Sequence, residues 1–271
     1  MSTTSRPGLA PAGLAAPGRA RWRLPAALNV EAVLAFAAIA LAWHAASRVL
    51  PPFLFPPFGA IGAAIAAVPT SPPGLAAAGA TYLRILAGLA ASFALAVPLG
   101  LWAGFRRRAD RALLPLVQFA QGVPAVCWVI FAVLWFKQLE LRIAFVVIVS
   151  TLPVFFYQVR EGVRSVPQEL TDMVRALRPT RLQLVRKLVL PSLAPQVLTA
   201  WRLNLGSGTK VTIMAELLGG ISGIGHQLRL SQELFRMDQA IAWTVALVAF
   251  VLATNALVTV VDRRLLRWRV A

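Results

Sequence analysis

Three charged side chains stand inside one otherwise apolar stretch: Arg202, Lys210 and Glu216 fall within residues 195–218. A charge at the centre of a bilayer costs on the order of 2.5–3.5 kcal/mol, so a membrane segment that keeps three must turn them toward a bundle interior or a watery path. Lys210 in such a path would give it a positive surface favouring anions. Set near headgroups or in a structural ion pair, Arg202 and Lys210 would carry no such role. Lys210 and Glu216 are six residues apart, which places them on different helix faces and argues against an intrahelical pair.

The glycine-rich run 219–225 invites comparison with a phosphate-binding loop, but no Lys-Ser/Thr follows its last glycine. It reads as a turn, and the chain is expected not to hydrolyse ATP. His44 and His226 have no companions at ligand spacing, and Cys127 is the single cysteine, so neither a metal site nor a disulfide is expected. The acids Glu161, Glu169 and Asp172 are scattered through a basic segment. No catalytic group and no cofactor emerge from this inventory.

The elements around these residues are those of a membrane protein. The 271-residue chain is 58% hydrophobic and only 14% charged, where a soluble domain carries about 25% charged residues. Runs of the roughly 20 residues needed to cross hydrocarbon as helix recur, and the strict alternation of a membrane barrel is absent. Spans are expected at 29–48, 82–104, 113–136, 142–158, 195–218 and 240–261. Residues 51–73 hold seven prolines around a short apolar stretch, 58–68, expected at the outer interface or re-entering. The first 28 residues, rich in Ala, Pro and Gly, are expected to form a disordered basic tail.

The net charge of +17 would suit nucleic acid, but the basic residues cluster beside the apolar runs, so no nucleic-acid partner is expected. With both termini inside, cytoplasmic segments hold 19 Lys and Arg and outer segments six. The positive-inside bias therefore places the termini in the cytoplasm.

The segment 160–195 is too polar to span. Pro167 suits a first helical turn, Pro179 breaks that helix, and Thr180 with Gln183 three residues on forms a capping-box signature for a second start. The second helix is expected to end at Leu190-Pro191. Two short helices with a sharp turn could lie on anionic lipid headgroups or dock a soluble partner.

Here the chain resembles the permeases of binding-protein-dependent ABC importers. Their cytoplasmic signature is Glu-Ala-Ala, three residues, Gly, nine residues, then an aliphatic residue, any residue and Leu-Pro. Asp172-Met173-Val174, then Arg178, then Leu188-Val189-Leu190-Pro191 keep this spacing, with Asp for Glu and Arg178-Pro179 at the glycine turn. Pro191-Ser192-Leu193-Ala194-Pro195, Arg202-Leu203-Asn204-Leu205-Gly206, Ala215-Glu216-Leu217-Leu218, Gly223-Ile224-Gly225 and Leu134-Trp135-Phe136 look like the nitrate/sulfonate/taurine-type branch.

The resemblance implies an all-α membrane protein of about six transmembrane helices, with a coupling loop (159–194) between spans 4 and 5 and a permease domain over 29–271. It implies docking of cytoplasmic ABC ATPase subunits through Asp172, Ala176, Leu177, Arg178, Thr180 and Pro191. It also implies a second permease copy or paralogue, an extracytoplasmic substrate-binding protein and a small solute such as a sulfonate. Membrane lipids complete the expected partners. A secondary carrier and a membrane-embedded lipid-modifying enzyme remain as alternatives.

Overall fold

The computed structural model describes residues 30–167, 169, 173–174, 180, 183 and 185–265. The basic tail and the predicted docking residues Asp172, Ala176, Leu177 and Arg178 lie outside the described residues. The chain divides between Ala45 and Ala46 into two units. The first contributes most of α1 (Val30–Val49), which is long and apolar enough to cross a membrane.

All regular structure among the described residues is helical, as the composition requires in hydrocarbon, where a helix satisfies its own backbone. The second unit holds α2 (Phe58–Thr70), α3 (Pro72–Phe105), α4 (Arg107–Gly122), α5 (Ala125–Trp135), α6 (Leu139–Arg164), α7 (Leu190–Gly219), α8 (Ile224–Glu233) and α9 (Met237–Leu265). By length and apolarity α1, α3, α6 and α9 are single candidate spans, and α4 with α5 makes a fifth, bent one. The expected fifth span, 195–218, lies within α7, whose 30 residues are ample in length but carry Arg202, Lys210 and Glu216.

Two expectations are corrected. Residues 113–136 do not form one straight helix: α4 and α5 meet at a 94° bend. Pro124 has no N–H to continue the ladder and drives Val123 out of the helical region, to φ −79°, ψ 126°. Nor does the second loop helix end at Leu190-Pro191. A π-helical turn over Val185–Val189 leads directly into α7, with Pro191 in its first turn, where a missing N–H costs nothing. The expected start at Thr180 is found as read: the Thr180 N–H donates to Gln183 Oε1 at 2.9 Å, and the Gln183 N–H donates to Thr180 Oγ1 at 3.3 Å.

The core is the interface of α3 and α6, the most extensive in the chain. A row of small residues on α3, Gly88, Ser92, Ala96, Gly100 and Gly104, recurs every four positions and so lines one face. Added β-carbons at Gly88, Gly100 and Gly104 would strike Val147, Val159 and Val163, and Ser92 meets Thr151, 59 residues on, whose Oγ1 donates to the Ser92 hydroxyl at 2.8 Å. The other three pairs keep the same separation, so the two helices run parallel in one fixed register. Phe93, Phe155 and Trp201 close the core with centroids 5.3–5.6 Å apart. Around it, Leu83, Leu95, Trp102, Leu252 and Leu257 are exposed, as lipid-facing side chains should be.

Gly100→Leu forces this seam apart and is expected to destabilise the chain by about 1–3 kcal/mol. Thermal unfolding in detergent should show a lower Tm, partly restored by adding Val159→Ala. An unchanged Tm in the single variant would contradict the close approach.

Candidate functional site

Two ionic clusters and one exposed stripe organise the charged residues. The first cluster centres on Glu216, near the C-terminus of α7, whose side chain is fully buried. Burying an unpaired carboxylate is prohibitively costly, so its oxygens must find donors. Thr81 Oγ1 lies 2.9 Å from both, Arg84 Nη1 donates to Oε1 at 2.8 Å, and the Gly225 N–H donates to Oε2 at 2.9 Å. Thr81 also accepts from the Ile224 N–H at 2.8 Å.

The glycine run is therefore a turn folded around a carboxylate. Gly223 holds φ +100°, a conformation glycine adopts without penalty, and a β-carbon there would collide with the Glu216 carboxylate. Arg84 extends the cluster: Nη2 donates to Ser222 Oγ at 2.9 Å and to Glu140 Oε1 at 2.6 Å. Arg142 gathers helix ends nearby, donating to the Phe136 carbonyl at 2.6 Å and the Gly219 carbonyl at 3.3 Å. Those positions carry the negative ends of the helix dipoles of α5 and α7.

The second cluster lies at the other ends of α3 and α6. Asp110, beside Arg106, Arg107, Arg108 and Arg111 and outside the apolar run, pairs with Arg160 and with Arg164 Nη2 at 2.7 Å. Two guanidinium groups thus face one carboxylate and compensate the cost of its burial with charge-assisted hydrogen bonds. Arg160 also meets Glu161.

The predicted path residues separate in space. Glu216 is enclosed, with Arg84 rather than Lys210 as its cation. Arg202 is half-buried, and its Nη2 donates to Thr259 of α9 at 3.4 Å. Lys210 is exposed, on a face of α7 shared with Leu203, Ser207, Met214 and Leu218. The opposite face buries Asn204, Leu205, Gly208, Thr212 and Ala215. Of the predicted docking residues, Thr180 is exposed in its capping box and Pro191 is exposed in the first turn of α7.

Sequence reasoning missed Thr81, Arg84 and Asp110, whose partners are 50 or more residues away. The one local clue was Glu216 itself, a carboxylate at an apolar helix end followed by glycines that expose backbone N–H groups. Among the described residues no group of His, Cys, Asp and Glu is placed to hold a metal.

Known proteins place these features in context. Residues 96–267 match the profile of the binding-protein-dependent transport system inner membrane component family. SsuC of Bacillus subtilis, named for aliphatic sulfonates transport, is 27% identical over 187 residues, covering 69% of this chain and 67% of its own. The Escherichia coli taurine transport system permease TauC is 24% identical over 92% of this chain and 94% of its own. The bicarbonate transport system permease CmpB of Synechococcus elongatus is 29% identical, and there the match spans about half of each chain, 54% and 53%. In fold, a chain from the inward-facing MetNI methionine ABC transporter superposes with a TM-score of 0.54 at 16% identity, covering 73% of this chain and 98% of that one.

Glu216→Gln leaves Arg84 and a cage of donors around a neutral amide and is expected to cost about 3–5 kcal/mol, as for breaking a buried ion pair. Gly223→Ala should be comparably harmful. Thermal unfolding in detergent checks both; a Glu216→Gln chain as stable as the parent would show that the cluster does not hold the turn.

Proposed function

Because this chain belongs to the binding-protein-dependent transport system inner membrane component family, we propose that it forms, with a second permease copy or paralogue, the translocation path of an ATP-driven importer for a small oxyanion-bearing solute such as an organic sulfonate. ATP is hydrolysed by separate cytoplasmic ATPase subunits. These seat on the basic segment 159–194, where Asp172, Ala176, Leu177, Arg178, Thr180 and Pro191 are the docking residues. An extracytoplasmic binding protein delivers the solute, and both termini face the cytoplasm.

The observation that carries the reading is the two-sided character of α7. Its buried face packs into the bundle, while its exposed face mixes Ser207 and Lys210 with Leu203, Met214 and Leu218. An exposed cation two-thirds of the way along a membrane-length helix is unsuited to lipid and suits a watery path between two copies. Lys210 then presents positive charge to the solute. Three relatives named for sulfonates, taurine and bicarbonate support an anionic class, since each of these solutes carries an oxyanion. Glu216, enclosed by Thr81 and Arg84, serves the path by fixing the turn beside it, and Arg202 ties α7 to α9.

Two measurements test this. The tagged chain should retain its ATPase in mild detergent, and Asp172→Lys should lose it with the membrane fold intact; failure of the wild type to capture any ATPase sinks the importer reading. In proteoliposomes holding the whole transporter, Lys210→Glu should lower kcat/KM for the imported anion by about tenfold, equivalent to about 1.4 kcal/mol, with ATPase capture unchanged. An undiminished rate would remove Lys210 from the path.

A further inference from the structure

Four guanidinium groups crowd the corner where α3 turns into α4, and neither ionic cluster uses them. Arg106 is the single residue linking the two helices, Arg107, Arg108 and Arg111 lie in the first turns of α4, and all four are exposed. Among the described residues none of them meets an acid. Asp110, the acid in their midst, is buried, and Arg160 and Arg164 of α6 hold both of its oxygens. Glu161 is likewise taken by Arg160. Cations at the start of a helix oppose the positive end of its dipole, so the four do nothing to stabilise α4. Their charge needs an anion from outside the bundle.

What adjoins the arginines shows which anion fits. The face of α4 that carries Arg108 continues through Ala112, Pro115, Leu116 and Phe119, three or four positions apart, and each of these is exposed. The opposite face buries Asp110 and Val117, so the exposed stripe is the one turned away from the bundle. From Arg108 to Phe119 the helix rises about 16 Å, close to the depth of one leaflet in a hydrocarbon core of about 30 Å. On α3, Trp102 and Phe105 are exposed in the last turn before the corner, as aromatic residues at a membrane interface are. A soluble acidic protein would meet the arginines and leave Leu116 and Phe119 uncovered. A zwitterionic lipid would cover the stripe but bring its own cation to the arginines. An anionic phospholipid satisfies both ends, and basic clusters beside a transmembrane helix attract such lipids.

We propose that this corner is a binding site for an anionic phospholipid, its phosphate held by Arg107, Arg108 and Arg111, its chains laid along Leu116 and Phe119, and Trp102 at the level of the headgroup. Arginine suits the task because its planar fork presents paired donors to phosphate oxygens. A bound lipid holds the start of α4 from outside the bundle, as the Asp110 pairs hold it from within. The site does not depend on the importer reading.

The test uses the full-length chain in phosphatidylcholine nanodiscs doped with brominated phosphatidylglycerol or, at the same fraction, brominated phosphatidylcholine. Bromine quenches a tryptophan it touches, and the share of quenching lost in Trp102→Phe reports the corner. The anionic lipid should quench Trp102 at a several-fold lower fraction than the zwitterionic one. Arg107→Gln, Arg108→Gln and Arg111→Gln should each weaken that preference by about fivefold, and the triple variant should abolish it. Glutamine is a good helix former at exposed positions, so the Tm in detergent should stay at the wild-type value; if the triple variant lowers it, the single variants carry the test. Equal quenching by the two lipids in the wild type, or a preference that survives all three substitutions, overturns the site. Relief of quenching by millimolar glycerol 3-phosphate would assign the arginines to a soluble phosphate, and loss of ATPase capture in the triple variant would assign them to a protein partner. Either result also overturns the lipid site.

Discussion

Within hydrocarbon the apolar effect gives helices no reason to associate, and what remains is close packing. The structure depends on one instance of it, the parallel contact of α3 with α6. Small residues every fourth position on α3 accept the valines of α6, so the two backbones approach as closely as side chains permit. Dispersion acts over this whole length, and one register satisfies it. That register places Arg84 within reach of Glu140 at one end and Asp110 within reach of Arg160 and Arg164 at the other.

The two ionic clusters differ in what they hold. Around Glu216, a buried carboxylate organises backbone: the turn between α7 and α8 closes because its N–H groups, with Thr81 and Arg84, are the donors the carboxylate requires. Around Asp110, arginines from α6 fix the start of α4. Two irregular features stand beside these clusters, the bend at Pro124 and the π-helical turn before Pro191. Each lies beside a proline: Pro124 breaks the helix it interrupts, while Pro191 sits in the first turn of α7, where its missing N–H costs nothing.

Proline alone does not foretell such breaks. Pro98, Pro115, Pro153 and Pro195 all sit inside helices that run on, while Pro124 ends one and begins another. A single missing hydrogen bond is tolerated where neighbouring helices hold the segment straight. The difference between Pro124 and the others thus lies in packing, which is why residues 113–136 read as one span from their apolarity.

What the sequence determined by itself was whatever depends on local chemistry or on composition. Apolar runs of membrane length set the helical class, Thr180 and Gln183 specified their own capping box, and Gly100 with Gly104 marked a close approach. Tertiary structure decided everything that turns on partners distant in the chain. It enclosed Glu216 against Thr81 and Arg84, left Lys210 exposed on the same helix, and bent α4 against α5 at Pro124. Periodicity can place a charge on a helix face, but whether that face meets lipid, protein or water is settled only when the neighbouring helices take their register, because the cost of burying a charge depends on the donors that arrive with them.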